Sequence, residues 1–335
     1  MPPRSTPNAL VTGAAGFLGS HVVDGCLALG MNVVATDDLS GGYVENVSKD
    51  AELVVGDLRD REFVAGLWKG NKFDYVYHLG AYAAEGLSHF VRAFNYRTNL
   101  EASVNLINQA VLHDVRRFVF TSSIAVYGPG QTPMTEEMTP APEDPYGISK
   151  YAVELDLTAA AKMFGLEYTI FRPHNVYGER QNIADKYRNV IGIFMNAVLR
   201  GEPMRVFGDG RQTRAFSHVA DVAPVISRSP LVERSRNEVF NIGADRPHTV
   251  LELAREVADA FQAECHIEYE PARNEVMHAY SDHAKVRDVF DVPAPIELHA
   301  GIRRMSAWVR DHGGRQPVEF PGEIEVDRQL PPSWR

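Results

Sequence analysis

From Asn8 onward, short, continuously apolar runs alternate with segments of helical spacing. ALVTG, NVVATD, AELVVGD, FDYVYHLG, RRFVFTSS and EYTIFRP read as six strands. Their unbroken apolar character fits strands buried on both faces. Between the first two, GFLGSHVVDGCLALG places Phe17, Val22 or Val23, and Leu27 on one side and stops at Gly30. A long helical stretch is expected from about Ser88 to His113. Such alternation predicts an α/β fold with a Rossmann-type, doubly wound parallel sheet. Ligands in such sheets lie beyond the carboxyl ends of the strands. Gly13, Asp37, Asp57, Leu79, Ser123 and Asn175 all follow strand runs.

After Pro173 the pattern loosens. Loops such as YGERQNIADKYRN and VFGDGRQTR alternate with short helices at 191–199 and 250–261. We read residues 7–173 as a dinucleotide-binding domain, with about 215–243 returning to it. Residues 174–214 and 244–312 then form a smaller mixed α/β lobe over the ligand. The Pro-, Gly- and charge-rich stretch 313–335 is expected as extended surface chain.

Composition narrows the function. A chain of 335 residues, 44% hydrophobic and 23% charged, is that of an ordinary globular protein with a sizeable core. The net charge of −10 argues against binding a nucleic-acid backbone. Cys26 and Cys265 stand alone without metal-ligand spacing, so reduced thiols and no metal are expected. MPPRSTPN lacks an apolar leader core, and no apolar run reaches membrane-spanning length. The chain is read as cytoplasmic.

VTGAAGFLGSH places Gly13, Gly16 and Gly19 between a strand and a helix. Glycines there permit a tight turn and let a pyrophosphate approach the helix N-terminus. Asp37 ends the second strand roughly twenty residues further on, where a carboxylate accepts from the hydroxyls of an adenosine ribose. It also repels a 2′-phosphate, favouring NAD over NADP. Asp38 is its neighbour, and Asp57-Leu58 is placed to meet the adenine.

The candidate chemistry lies further along. Asp144-Pro145 caps and starts a helix that Gly165 ends. Tyr146 and Lys150, four residues apart, share one face of it. A free Tyr, with a pKa of ~10, is a poor base at neutral pH. A nearby ammonium and an oxidised nicotinamide both favour the phenolate. Ser123, at the end of RRFVFTSS, would share the hydrogen bonds of a substrate hydroxyl. A helical glycine at Gly147 costs about 1 kcal/mol against Ala, which suggests a close approach to the backbone there.

TGAAGFLGSH, GDLRD, HLGA, TSSIAVYG, YGISK, RPHNVYGERQ and VFGDGRQTRAFSHVADV together resemble the extended short-chain dehydrogenase/reductase family, over about residues 8–308. The likeness is greatest to nucleotide-sugar 4-epimerases of the UDP-glucose 4-epimerase type. Related 4,6-dehydratases resemble TSTDEVYG at this place, with an Asp-Glu pair for loss of water. This chain has Ile124 and Ala125 there. UDP-glucuronate decarboxylases put a Glu nearby, also missing. The resemblance therefore implies epimerisation through transient C4′ oxidation by tightly bound NAD.

By the same resemblance, Phe17 and Leu18 line the pyrophosphate turn, and Leu79, Gly80, Ala81, Asn99 and Ser122 border the cofactor. Asn175 faces the sugar diphosphate. Asn189, Val190 and Arg205-Val206-Phe207 approach the nucleotide, and Arg214 and Arg273 bind its diphosphate and ribose. His174 is placed against the nicotinamide or as filler. Two segments depart from the family: AYAAEGLSHFVRAFNY carries Glu85, Phe90, Phe94 and Tyr96, and Ala279 stands where relatives carry a bulky residue. A small residue there would admit an N-acetyl sugar. Apolar Leu100, Val104, Ile107, Val111, Val153, Leu157, Ala160 and Ala161 suggest a homodimer through a four-helix interface. Three readings stay open: a 4-epimerase; another NAD-dependent nucleotide-sugar enzyme, such as a UDP-glucuronate or UDP-N-acetylhexosamine epimerase, dehydratase or reductase; and a non-catalytic NAD-binding regulator. The intact Ser123, Tyr146 and Lys150 speak against the last.

Overall fold

The computed structural model describes residues 6–272, 276–313 and 319–334. The six apolar runs form β1 (Asn8–Thr12), β2 (Asn32–Asp37), β3 (Glu52–Val55), β4 (Tyr75–His78), β5 (Arg117–Thr121) and β6 (Tyr168–Pro173). A further strand, Glu238–Ile242, pairs with β6 and completes a seven-stranded sheet. The order is Glu238–Ile242, β6, β5, β4, β1, β2, β3, with all pairs parallel. The order reverses between β1 and β4, where such a sheet opens a crevice at its carboxyl edge.

Alternation along β1 shows how the sheet is buried. Ala9 and Val11 face one apolar layer with Val22, Val23 and Phe240. Leu10 faces the other with Val76, Leu106, Phe118 and Leu157. Helix α1 (Phe17–Ala28) covers the first face together with helix Val219–Arg228. A third core, around Phe194, Met195, Phe216, Leu253, Ile302 and Met305, belongs to the C-terminal lobe. Helices Val190–Arg200 and Val250–Phe261 appear there, as the periodicity predicts. Among the described residues no helix is long and apolar enough to cross a membrane.

Two expectations need correction. The helical stretch from Ser88 is not continuous: it breaks into Glu85–Ser88, Arg92–Tyr96, a π turn at Arg97–Glu101, and Ala102–Leu112. The break lies at residues 89–91. There the Phe90 carbonyl accepts from the backbone of Glu325 and Val326. The Glu325 carboxylate accepts from Ala93 N and Phe94 N at 2.7 and 2.8 Å, capping the restarted helix. The segment that carries Glu325 is the second correction. Segment 319–334, expected as surface chain, is docked, with Phe320, Leu330 and Trp334 buried against Ala84, Leu87, Val91 and Tyr187.

Candidate active site

The helix Pro145–Phe164, which carries Tyr146 and Lys150, starts and stops as its sequence requires. Asp144 accepts from Gly147 N at 2.8 Å, Pro145 takes the first turn, and Gly165 closes it at φ +77°. Gly147 explains itself once the helix is in place. A Cβ there would lie 2.5 Å from the Ala125 carbonyl oxygen. The missing side chain lets the helix press against the turn Ile124–Tyr127, whose N-cap is Ser123. That contact sets Ser123 and Tyr146 in the wall of one cavity, where the serine hydroxyl acts to lower the pKa of the phenol.

Lys150 lies beneath this pair. Its Nζ donates to Thr121 O at 2.8 Å and sits 5.8 Å from the Tyr146 ring centre and 4.8 Å from that of Phe120. Both groups are buried. Burial pushes the Tyr146 phenol above its ordinary value, Ser123 opposes this, and the Glu85 carboxylate adds to it. Burial pulls Lys150 down to about 7, against the field of Glu154. Glu154 is itself held by Arg172 and by a Ser122 hydroxyl at 2.5 Å. Burial thus favours the neutral phenol and the neutral amine alike; a further positive charge in the cleft would favour the phenolate.

The cleft is a single cavity of about 1010 Å³ along the carboxyl edge of the sheet. At one end lies a cradle that tolerates only glycine. Gly13 has φ +66°, and a Cβ on it would lie 2.7 Å from Gly80 N; one on Gly19 would lie 1.9 Å from Gly13 O. The uncapped N-terminus of α1 opens onto this cradle. Asp37 accepts from Ala15 N at 3.0 Å and Leu39 N at 2.8 Å, which fixes its carboxylate at the cleft wall. Asp57 is pinned by Arg59 at 2.6 Å, which lowers its carboxyl below the usual range. This glycine cradle, helix end and fixed carboxylate fit a dinucleotide, and the same cavity extends to Tyr146.

Of the residues expected from the sequence, Phe17, Leu18, Asp38, Leu58, Leu79, Gly80, Ala81, Ser122 and Ser123 line the same cavity. So do Asn175, Asn189, Val190, Arg205, Val206, Phe207 and Arg214. Asn175 and Asn189 hold the left-handed backbone at φ +42° and +37°, a conformation Asn tolerates better than most residues. Arg205 is drawn toward Glu268 and Glu270, and Arg214 donates to the Thr213 and Met277 carbonyls. Arg273 lies outside the described residues.

Two expected cofactor residues are not in the cavity wall. Asn99 is buried behind it, accepting from Tyr82 N at 2.8 Å and donating to Tyr82 O at 3.1 Å. It shapes the Tyr82 loop. His174 lines the smaller recess beside the Ser123 turn instead. Its Nδ1 lies 2.9 Å from the Ala215 carbonyl, which only accepts, so that nitrogen carries hydrogen. Its Nε2 then faces His283 Nε2, at 3.0 Å, as a lone pair. His283 in turn has Ser281 Oγ 3.1 Å from its Nε2 and Asp245 Oδ1 2.7 Å from its Nδ1. Burial holds His174 neutral, pushed down to about 3.

The structure also adds residues. Glu85, Glu143, Tyr187, Arg188 and Gln212 reach the cavity, as do Pro321 and Gly322 of the tail. The apolar Ile124 and Ala125 leave no carboxylate on the Ser123 turn, but Glu85 and Glu143 reach the same recess from elsewhere. Arg188 is held by Asp185 at 2.6 Å and stacks over Tyr82 at 5.1 Å. Its neighbour Asn189 was legible in the motif; Arg188 carried no separate signal.

The Rossmann-type sheet and its cleft are those of a nicotinamide-dependent enzyme, with Ser123, Tyr146 and Lys150 brought together in the cleft wall. The comparisons narrow this class. The model of the NAD dependent epimerase/dehydratase family matches residues 9–243, and the chain belongs to that family. A UDP-glucose 4-epimerase of Mycolicibacterium smegmatis is 34% identical over 310 residues, covering 90% of this chain and 98% of the relative. The crystal structure of Thermotoga maritima UDP-glucose 4-epimerase with UDP-glucose superimposes with TM-score 0.85 at 34% identity, covering 91% of this chain and 99% of that one. The Thermus thermophilus UDP-glucose 4-epimerase complex with NAD gives TM-score 0.85 at 30% identity, covering 90% of this chain and 99% of that one. The family is not uniform in reaction. Arabidopsis thaliana UDP-glucuronic acid decarboxylase 4 is 30% identical over 90% of this chain and 68% of its own.

Proposed function

We propose that the protein is a nucleotide-sugar 4-epimerase of the UDP-glucose/UDP-galactose type. The observation that carries this reading is the Ser123 turn. It presents a hydroxyl to Tyr146 and is followed by Ile124 and Ala125, with no carboxylate on the turn itself. The similarity to UDP-glucose 4-epimerases over nine-tenths of the chain supports it.

In this mechanism Tyr146 Oη takes the proton of the sugar 4′-hydroxyl, and Ser123 holds that oxygen as its charge changes. Lys150, buried under the Tyr146 ring, favours the phenolate whenever it carries its proton. NAD, when bound, accepts the C4′ hydride and returns it. Asn175, Asn189 and Arg214 line the side on which the sugar diphosphate would lie. The 4′-keto sugar turns about its diphosphate link, and Tyr146 gives the proton back to the new epimer. No net oxidant is consumed, so the purified protein should carry its NAD.

A second reading, a uronate substrate, is favoured by Arg188. It lines the cleft, and its positive field reaches Tyr146. A carboxylate at the sugar's C6′ would suit that guanidinium. Assay against UDP-galactose and UDP-glucuronate with no added cofactor separates the two. Turnover of the uronate alone would displace the first reading.

We also propose a homodimer through the two helices flanking the sheet. Half of the apolar set anticipated for it is spent inside: Ile107, Val153, Leu157 and Ala160 are buried in the sheet's own covering layer. Leu112, Leu155, Met163 and Phe164 instead stand exposed. A dimer mass in light scattering that falls to a monomer in Leu155→Glu would support this interface; a monomeric wild type would end the proposal.

A further inference from the structure

The docked C-terminal segment is part of the cleft, and its contacts have a pattern. Pro321 and Gly322 line the cavity directly. On one side Phe320 meets Phe94 edge-on at 4.9 Å and Tyr82 at 5.5 Å. Both partners line the cavity and come from the sheet domain. On the other side Trp334 packs against Tyr187 at 5.5 Å and Phe207 at 6.3 Å, both cavity residues of the C-terminal lobe. It also meets Phe90 at 6.2 Å.

Polar contacts fix the same points. Glu319 accepts from Lys186 Nζ at 2.8 Å and from the Tyr187 hydroxyl at 3.1 Å. Ser333 donates to Glu270 at 2.9 Å, on the strand that pairs with Met204–Phe207. Glu325 caps Arg92–Tyr96. The segment is anchored in an apolar cluster, and its aromatic side chains also contact residues that line the cavity from both sides.

We infer that Trp334 and Phe320 are positioning residues for the nucleotide-diphosphate end of the substrate. Trp334 holds Tyr187, and with it Arg188 and Asn189, at a fixed distance from Phe207. Phe320 locks Tyr82 and Phe94 on the facing wall. The planar base and its diphosphate would lie between these walls, an assignment that rests on the reading of the site given above. The tail carries no reacting group. It preorganises binding, so affinity should respond to it and chemistry should not.

The test uses the full-length, NAD-loaded protein. UDP affinity is measured by calorimetry, and KM and kcat are measured on the sugar the wild type turns over. Trp334→Ala should weaken UDP and raise KM about tenfold, an effect ordinary for a buried aromatic anchor. Its kcat should stay within about twofold and bound NAD should be unchanged. Trp334→Phe should recover most of the affinity. Phe320→Ala should act in the same direction. Unchanged UDP binding in Trp334→Ala overturns the inference. So does a joint loss of kcat, NAD and melting temperature, the mark of a merely structural role. A wild type that binds UDP without turning over any UDP-sugar counts against the epimerase reading while leaving this comparison decisive. A wild type that does not bind UDP overturns the inference.

Discussion

The two walls of the cleft are built on different principles. The inner wall, from β1, β2, β4 and β5, is backbone pressed against backbone. Gly13 meets Gly80, Gly19 meets Gly13, and Gly147 meets Ala125, all at separations no side chain permits. The outer wall is side chain against side chain: Phe320, Phe94 and Tyr82 on one side, Trp334, Tyr187 and Phe207 on the other. In the proposed mechanism the reacting groups, which need fixed positions, hang on the first. The substrate's handle, which needs shape and apolar surface, would meet the second. Substitutions on the inner wall should strike the rate, and those on the outer wall should strike binding.

The sharpest break of that comparison is Tyr146→Phe. It removes the proton-transferring hydroxyl and nothing else, so kcat should fall by on the order of 10² to 10⁴. Bound NAD, read from the denatured protein, should remain. Turnover near wild-type level would mean that the phenol is not the acid–base group.

Gly147→Ala comes next. The added methyl must displace the Ala125 carbonyl and with it the Ser123 turn. A shift near 1 Å at a reacting group costs about a hundredfold in rate. Steady-state kinetics should show kcat falling and KM little changed. If KM rose and kcat held, the contrast between the walls would be lost.

The smallest effect concerns the anchor behind the inner wall. The His283 hydrogen bond and then Arg287 pull the Asp245 carboxyl down to about 2. A carboxyl depressed in the folded state adds stability that is present above its unfolded pKa, about 4, and is lost as pH falls toward 2. Asp245→Asn should lower the melting temperature at pH 7, and the difference should vanish on acidification through that window. An equal difference at pH 2 and 7 would assign the loss to packing instead.

The two walls also differed in how far they could be read from the chain. Strands, the glycine turn, the capped helix and Ser123, Tyr146 and Lys150 are local signals. Each rests on neighbours in sequence, and the fold brings them together as read. What escaped was nonlocal. Glu325 interrupts an otherwise helical stretch from more than two hundred residues away, and nothing near Phe90 announces it. The tail's three apolar anchors, Phe320, Leu330 and Trp334, are spaced without helical or strand period, so composition alone suggested surface chain. His174, read either against the nicotinamide or as filler, is buried beside the small recess at Ser123. Its orientation is set by His283 and Asp245, which no local pattern connects to it.

The account stands on a reaction that returns its own hydride. The direct measurement is incubation of the purified protein, without added NAD, with UDP-glucose labelled with deuterium at C4′. Proton and deuterium NMR should show UDP-galactose appearing with the label still on C4′ and no net NADH. Loss of the label to solvent, accumulating NADH, or a product lighter by water would contradict it.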